Sequence, residues 1–240
     1  MNGKVTDNAA RGEKVKPEKG STLTPMANAG TFYPPAEWLS MHEAHRQLAA
    51  QGHADILLLG DSIHYGWNWP GRPEIWQKHF PGFSVANLAI SGDYIQHLLW
   101  RIENGNLAAF SPATVILLIG ANNIDDYSAT EIAKGIMKIL NRVKRECGGA
   151  KIILTGLFPR GQEPDTPLRR KIIAVNALLE KLSDGERVFF HNPGPALLEH
   201  DGSMTRKMFY DFSHPNLAGY ARWAEMLSCM DIKFSSNGKG

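Results

Sequence analysis

The chain has 240 residues, of which 43% are apolar, and its 26 basic and 24 acidic residues give a formal net charge of +2. This length and apolar content suit one domain with its own core, and the balanced charge argues against recruitment by nucleic acid or an anionic membrane surface. No segment is apolar over the roughly 18 residues that a membrane span needs, and the amino terminus lacks the apolar region of a signal peptide. We expect a soluble chain, cytoplasmic on this sequence, or secreted or periplasmic if a signal peptide has been removed.

The two ends of the chain contain few large apolar residues. Residues 1–28 are rich in Lys, Glu, Gly, Thr and Pro, which predicts a flexible N-terminal arm, and residues 235–240 predict a disordered tail. Residues 29–234 then form a single domain. Its two cysteines, Cys147 and Cys229, are too few for a disulfide framework, and the sequence leaves open whether they pair.

Short apolar runs alternate with amphipathic segments along this domain. The runs are nearly continuous in apolar character, as is typical of strands buried on both faces of a parallel sheet, and lie at residues 54–60, 83–90, 113–120, 150–156 and 187–192. The clearest helical segment is 128–147, where Ser128 and Glu131 have the spacing of a capping box. Another covers 167–185, and a last one covers 214–230, with Pro215 predicted at its first helical position. The alternation predicts an α/β fold with about five parallel strands and helices on both faces.

In such a sheet ligands bind at the carboxyl ends of the strands. The polar residues that follow the apolar runs, or precede the last helix, are therefore the candidates for chemistry, namely Ser62, Gly92, Asn122, Asp211 and His214. A serine hydroxyl needs a base to become a nucleophile, and His214 is a candidate base that Asp211 would orient. The backbone N–H groups of Ser62 and Gly92 and the Asn122 amide would stabilise the negative charge that develops on an ester carbonyl oxygen.

Each candidate residue also has an ordinary structural interpretation. Ser62 alone is typical of a helix cap, Asn122 of a turn, and Asp211 with His214 of a cap followed by a surface histidine. Their joint occurrence at successive strand ends favours catalysis. A non-catalytic binding module that keeps the fold is the alternative from another functional class.

Four blocks of the sequence resemble the SGNH, or GDSL-type, esterase and lipase superfamily. They are GDSI at 60–63, the turn at Gly92, GANN at 120–123 and DFSHPN at 211–216. Longer strings, including NLAISGDYIQHLLWRIENGNL and IILTGLFPRGQEP, are similar to the catalytic subunits of intracellular platelet-activating factor acetylhydrolase and their bacterial relatives. The resemblance covers roughly residues 55–227.

The resemblance implies a three-layer α/β/α flavodoxin-like fold and a serine hydrolase of small acyl esters that uses no metal or other cofactor. It assigns Ser62 as nucleophile, His214 as base, Asp211 as its orienting partner, and Gly92 and Asn122 as oxyanion donors. Relatives of this type often pair, so a homodimer is an open alternative. The sequence departs from the usual motifs at three positions that hold no catalytic atom, with Ile63 for Leu, Ser91 for Gly and Asn123 for Asp.

The side chains near these blocks suggest roles by residue type and position. Trp67 and Trp69 lie in a loop rich in Pro and Gly and are predicted, with His64, to contact substrate, the alternative being packing of the loop. For the pair His42 and His45 we favour solvated histidines over a metal site, because the spacing is not that of a zinc protease.

Three charged residues near the motifs are expected to serve structure. Arg160 is predicted to form a structural contact, in preference to neutralising an acidic group at the site. Asp61 and Asp93 are predicted to hold the loops that carry the nucleophile and Gly92.

The sequence therefore predicts a serine esterase that hydrolyses short acyl esters, most of all acetyl esters, of a carbohydrate or small metabolite. Activity should resist chelators and rise as His214 loses its proton. The alternatives are a phospholipid or lysophospholipid acyl hydrolase of the acetylhydrolase type, an acyltransferase, and the binding module. The expected partner is a small-molecule ester, with no nucleic acid and no membrane span.

Overall fold

A computed structural model describes residues 20–28, 30–52 and 54–230. Its centre is a five-stranded parallel sheet in the order β2-β1-β3-β4-β5, formed by β1 Ile56–Gly60, β2 Val85–Asn87, β3 Thr114–Leu118, β4 Lys151–Thr155 and β5 Val188–His191. The prediction of about five parallel strands is confirmed. Because β2 and β3 lie on opposite sides of β1, the chain reverses its direction of winding there, and the loops after β1 and β3 frame a crevice.

Helices cover both faces of the sheet, which confirms the three-layer α/β/α prediction. They are α1 Pro35–Ala50, α2 Ser62–Tyr65, α3 Arg72–His79, α4 Ile95–Arg101, α5 Ala129–Glu146, α6 Pro167–Glu180 and α7 Leu217–Ser228. One core contains apolar residues of α4, α5 and α6, and a second contains those of α3 and α7. Strands β1 and β3 contribute side chains to both cores, since successive residues of a strand point to opposite faces.

The helix ends follow the local sequence with one exception. Ser128 caps α5 in the predicted capping box, and α6 begins at Pro167. The prediction that Pro215 opens the last helix is wrong, because Asn216 is the cap of α7 and its side chain accepts the Gly219 N–H at 3.1 Å. Pro215 instead pairs with Phe209 in an isolated antiparallel bridge.

Residues 20–28 contact the domain, so the predicted flexible arm is wrong over this part of its length. The Thr22 hydroxyl donates to the carbonyl of Glu131 at 2.7 Å, and the Met26 N–H donates to the carbonyl of Gln96 at 3.1 Å. These hydrogen bonds use the backbone and a short polar side chain, so they leave no apolar pattern in the sequence. The rest of the predicted arm, and the predicted tail at 235–240, lie outside the described residues.

Two further features bear on the sequence predictions. Cys147 is buried and Cys229 is exposed, and both are free thiols. Over the described ranges, none of the helices has the length and hydrophobicity needed to cross a bilayer.

Candidate active site

Ser62 is the first residue of α2 and lies at the carboxyl end of β1. Asp61 forms the cap of this short helix, because its Oδ1 accepts the Ile63 N–H at 3.1 Å. The preceding Gly60 has no room for a side chain, since a Cβ would lie 2.0 Å from the carbonyl oxygen of Leu118 on the neighbouring strand. Close packing of β1 against β3 therefore fixes where the serine begins its helix.

A chain of hydrogen bonds joins the three predicted catalytic side chains. Ser62 Oγ is 2.9 Å from His214 Nε2, and His214 Nδ1 is 2.7 Å from Asp211 Oδ2. With Nδ1–H donating to the carboxylate, Nε2 presents its lone pair to the serine hydroxyl. The geometry thus has a hydroxyl, a neutral base and an orienting carboxylate in series.

The Asp211 carboxylate is held by its own loop. Its Oδ1 accepts the backbone N–H groups of Ser213 at 3.0 Å and His214 at 2.7 Å. Burial raises the pKa of Asp211, but these hydrogen bonds and that of the His214 ring outweigh it and keep the pKa below its ordinary value. Phe212, which follows Asp211 directly, has a left-handed backbone with φ of 57°, a conformation that bulky residues rarely adopt. The loop accepts this strain while it directs both amides at one oxygen.

Two of the three predicted oxyanion donors, Gly92 and Asn122, come from neighbouring loops that are hydrogen-bonded to each other. Gly92 has a φ of 80°, and a Cβ there would lie 2.3 Å from Phe32 Cβ, so only glycine fits without displacement. Asn122 follows β3 in a 3₁₀ turn, and its Nδ2 donates to the carbonyl of Asp93 at 2.8 Å. One of its two amide hydrogens is used in this bond, and the other can be directed elsewhere.

Asn123 and Asp93 anchor these loops from beneath. Asn123 accepts the Ile95 N–H at 3.0 Å and donates to Gln96 Oε1 at 2.9 Å, so it needs both a donor and an acceptor, which an ionised Asp would not supply. Asp93 is fully buried and accepts from Trp38 Nε1 at 2.7 Å and Arg101 Nε at 2.8 Å. Asp93 therefore holds the Gly92 loop as predicted, and it does so through side chains of α1 and α4.

Asp61, beside the predicted nucleophile Ser62, is a buried carboxyl group. Burial raises its pKa to about 7, against the opposing effects of the Ile63 amide and the charge of His214. Burial thus dominates the pKa of Asp61, whereas hydrogen bonds dominate that of Asp211.

His64 and Trp67 lie in the hydrophobic core, which corrects the prediction that they contact substrate. His64 is fully buried, hydrogen-bonds to the carbonyl of Leu59 through Nδ1 at 2.9 Å and stacks on Trp223. Trp67 is 4% exposed and packs against Trp76, Trp223 and Tyr220. Its edge borders a groove of about 430 Å³ beside β2 that contains neither Ser62 nor His214.

Trp69 is exposed near His214, the predicted base, and two residues that the sequence did not single out, Tyr210 and Arg72, lie beside it. The Tyr210 ring lies 6.0 Å from the Trp69 ring and is stacked on His214 at 5.7 Å. The guanidinium of Arg72 lies 4.6 Å from the Trp69 ring, and it donates to the carbonyls of Gly66 at 2.7 Å and Pro215 at 3.2 Å. The sequence signal that could have identified Tyr210 is its position directly before Asp211 of the last motif.

Arg160 donates to the carbonyl of Ala121 at 3.3 Å and lies 3.4 Å from Asp125, an exposed carboxylate. These are the contacts of a structural residue, as predicted. His42 is buried against Trp38, so the prediction of a solvated side chain is wrong there. Within the described ranges, no group of three or more His, Cys, Asp or Glu side chains is arranged to bind a metal ion.

A larger groove lies away from these residues. It encloses about 530 Å³ between α6 and β5 and includes Ile173, Phe190 and Leu198. None of the five candidate catalytic or oxyanion residues lines it, so volume alone does not identify the reactive site.

The arrangement is that of a serine hydrolase, in which a serine, a histidine and an aspartate are hydrogen-bonded in this order at the carboxyl ends of the strands of a parallel sheet. The chain belongs to the GDSL-like lipase/acylhydrolase family, whose model matches residues 58–222. It is 30% identical over 204 residues to the human platelet-activating factor acetylhydrolase IB subunit alpha1, covering 85% of this chain and 86% of the relative. It is 33% identical over 194 residues to the human alpha2 subunit, covering 77% and 79%.

Solved structures share the fold at lower sequence identity. A GDSL-like lipase from Bacteroides thetaiotaomicron has a TM-score of 0.63 and 20% identity, covering 78% of this chain and 94% of that one. The acetylxylan esterase Axe2 from Geobacillus stearothermophilus has a TM-score of 0.60 and 17% identity, covering 78% and 98%. These likenesses confirm the flavodoxin-like fold class, and the family confirms an SGNH-type acylhydrolase.

Proposed function

We propose that the protein hydrolyses short acyl esters, most of all acetyl esters, of a carbohydrate or small metabolite through an acyl-enzyme on Ser62. The observation that carries the proposal is the 2.9 Å hydrogen bond between Ser62 Oγ and His214 Nε2, with Asp211 on the far side of the ring. A serine becomes nucleophilic at neutral pH when a neutral imidazole accepts its proton during attack.

The first half of the reaction transfers the acyl group to the enzyme. Ser62 Oγ bonds to the ester carbon while its proton moves to His214 Nε2. Negative charge on the carbonyl oxygen is stabilised by the N–H groups of Ser62 and Gly92 and by the free amide hydrogen of Asn122. The bond from the acyl carbon to the alcohol oxygen then breaks, and Nε2 returns the proton to that oxygen.

Water completes the cycle. It attacks the acyl carbon and gives a proton to His214 Nε2, the bond to Ser62 breaks, and the serine recovers the proton as the carboxylic acid leaves. Asp211 stays ionised throughout and stabilises the imidazolium in both halves, which agrees with its lowered pKa.

Two experiments test this proposal. A fluorophosphonate probe should label the wild-type protein and fail to label Ser62→Ala, because the probe reacts only with an activated serine. p-Nitrophenyl acetate should be hydrolysed faster than p-nitrophenyl octanoate. Equal labelling of the two proteins would exclude Ser62 as the nucleophile, and an unlabelled wild type would support the non-catalytic binding module.

The second candidate function is acyl hydrolysis of a phospholipid or lysophospholipid. It is favoured by the two relatives above, both of which are named subunits of platelet-activating factor acetylhydrolase IB. Direct competition between an acetylated xylose oligosaccharide and an acetylated ether phospholipid separates the candidates. A higher kcat/KM for the phospholipid would replace the carbohydrate or small-metabolite proposal. Acyl transfer to added alcohols in place of water would indicate an acyltransferase.

A further inference from the structure

Two exposed aromatic rings adjoin the predicted base. Trp69 and Tyr210 are each 36% exposed, although they come from loops far apart in the sequence, and their ring centroids are 6.0 Å apart. Tyr210 is stacked on the His214 imidazole at 5.7 Å, with an angle of 15° between the ring planes. The exposed parts of these rings therefore lie next to the imidazole. Large aromatic side chains at such positions bind ligands with little loss of side-chain entropy.

The chemistry of ester cleavage decides which part of a substrate meets this surface. The departing alcohol oxygen takes its proton from His214 Nε2, so it has to lie within hydrogen-bond reach of that nitrogen. The carbonyl oxygen faces the donors at Gly92 and Asn122. The alcohol part of the ester consequently lies on the His214 side, beside Tyr210 and Trp69.

The charges around the two rings select among alcohols. The Arg72 guanidinium is 4.6 Å from the Trp69 ring and 3.9 Å from the Tyr220 ring. Arg206 donates to the backbone carbonyl of Tyr210. The nearby carboxylate of Asp211 is already occupied by His214. The positive charge of Arg72 over the Trp69 ring opposes a second cation on the open face of that ring, because both would draw on the same negative π surface.

We propose that Trp69 and Tyr210 form the binding site for the alcohol part of the ester, and that this part presents an uncharged ring with an apolar C–H face, such as a pyranose. The inference rests on the proposed function and adds the class of leaving group. A quaternary ammonium headgroup is the occupant that the local charge disfavours. Stacking of a sugar or aryl ring requires only the aromatic faces of Trp69 and Tyr210. It does not require a hydrogen bond from the Tyr210 hydroxyl to the substrate.

The test compares kcat/KM for three acetates: a mono-acetylated methyl glucopyranoside, ethyl acetate, which has no ring, and acetylcholine, which is cationic. In Trp69→Ala and in Tyr210→Ala the ratio of the glucopyranoside value to the ethyl acetate value should fall about tenfold, as expected for loss of one aromatic contact of about 1.4 kcal/mol. Tyr210→Phe should keep the wild-type ratio. Met137→Ala, which truncates an exposed apolar residue on α5, is the matched control and should also keep it.

The outcomes separate this inference from the function on which it rests. If the ratio of the glucopyranoside to the ethyl acetate kcat/KM stayed at the wild-type value in both alanine variants, the proposed aromatic binding site would be wrong. Hydrolysis of ethyl acetate by the same proteins would still support the esterase function. If the wild type preferred acetylcholine and Trp69→Ala abolished that preference, the site would bind a cationic alcohol and not an uncharged ring. Failure of the wild type to hydrolyse any acetate, or to react with fluorophosphonate, would overturn the proposed function as well. Fluorophosphonate labelling of each variant verifies that its active serine is assembled.

Discussion

The side-chain amide of Asn122 donates a 2.8 Å hydrogen bond to the backbone carbonyl of Asp93. This bond joins the loop after β3 to the loop after β2, and these loops carry two of the three predicted oxyanion donors, Asn122 and Gly92. Because it uses one amide hydrogen, it also sets the direction of the other. The Asp93 side chain extends this link into the core through Trp38 and Arg101.

Asn122→Ala should lower kcat for p-nitrophenyl acetate by about 10²–10³-fold with a smaller effect on KM, as for other oxyanion donors. The reason is that the donor acts on charge present in the transition state and not in the bound ester. Asn104→Ala is the matched control, because Asn104 also donates from Nδ2 to a backbone carbonyl, that of Trp100, but is exposed on another part of the surface. A loss of kcat no larger than that of the control would remove Asn122 from the oxyanion site.

Gly92 and Gly82 provide a comparison of two glycines with nearly the same backbone. Their φ values are 80° and 82°, so alanine adds a left-handed strain of roughly 1–2 kcal/mol at either position. A Cβ at Gly82 meets nothing within 4 Å, whereas at Gly92 it meets Phe32 Cβ at 2.3 Å. Gly92→Ala should therefore displace the oxyanion N–H and lower kcat by about 10²-fold, while Gly82→Ala changes stability alone. Steady-state kinetics with thermal unfolding checks this, and equal kcat values for the two variants would contradict it.

The helices and strands that could be predicted from the sequence are those with a continuous apolar run or a clear capping motif. The run before Gly60 became a central strand because each of its residues is apolar, and α5 began where Ser128 and Glu131 form their reciprocal cap. Ser62, Gly92 and Asn122 could be predicted together because they follow parallel strands, which end at one edge of the sheet. Asp211 and His214 lie before α7 and follow no strand directly, so their approach to Ser62 depended on the order of the motifs and on the fold.

The direction of individual side chains could not be predicted in the same way. α2 has four residues, too few for a periodic pattern to show that His64 faces the core. Trp67 turns inward because it packs on Tyr220 and Trp223 of α7, more than 150 residues later in the chain. The role of Arg72 likewise depends on the carbonyl of Pro215, which only the fold brings near.

Buried histidines predict a loss of stability in acid. Burial lowers the pKa of His97 to about 3, and burial likewise lowers that of His64 and of His191 to about 4. In the unfolded chain these side chains bind protons near pH 6.5, so the unfolded state gains protons first as the pH falls. Asp61, with its pKa raised to about 7, takes up a proton in the folded state and acts in the opposite direction. Burial also lowers the pKa of His45 to about 3, so with four such histidines the net free energy of unfolding should fall by about 3 kcal/mol from pH 7 to 5.5.

Urea unfolding at the two pH values measures this difference. His191→Gln removes one titrating group, so the acid-induced loss should shrink by about 1 kcal/mol. His200→Gln, at an exposed histidine, is the matched control and should leave the loss unchanged. If His191→Gln and the wild type lost the same stability between pH 7 and 5.5, titration of His191 would not be the cause.

Arg72 connects the segment of Ser62, the predicted nucleophile, to the segment of His214, the predicted base. It is 5% exposed, and it donates to the carbonyl of Gly66, four residues after Ser62, and to that of Pro215, directly after His214. Replacing it by Met should leave both carbonyls without this donor and lower the free energy of unfolding by about 2–4 kcal/mol. It should also lower kcat, because the separation of Ser62 and His214 is then less well fixed.

A matched variant separates the catalytic effect from the loss of stability. Arg187 also donates to backbone carbonyls, those of Lys144, Cys147 and Ala150, but it precedes β5 at the opposite edge of the sheet from Ser62. Arg187→Met should therefore reduce stability and leave the kcat of the folded enzyme unchanged, whereas Arg72→Met reduces both. Urea unfolding with p-nitrophenyl acetate kinetics well below the midpoint of unfolding measures the two quantities. Equal kcat values for the two variants would show that Arg72 supports the fold alone, since loss of the link between the two segments would then have no effect on the reacting pair.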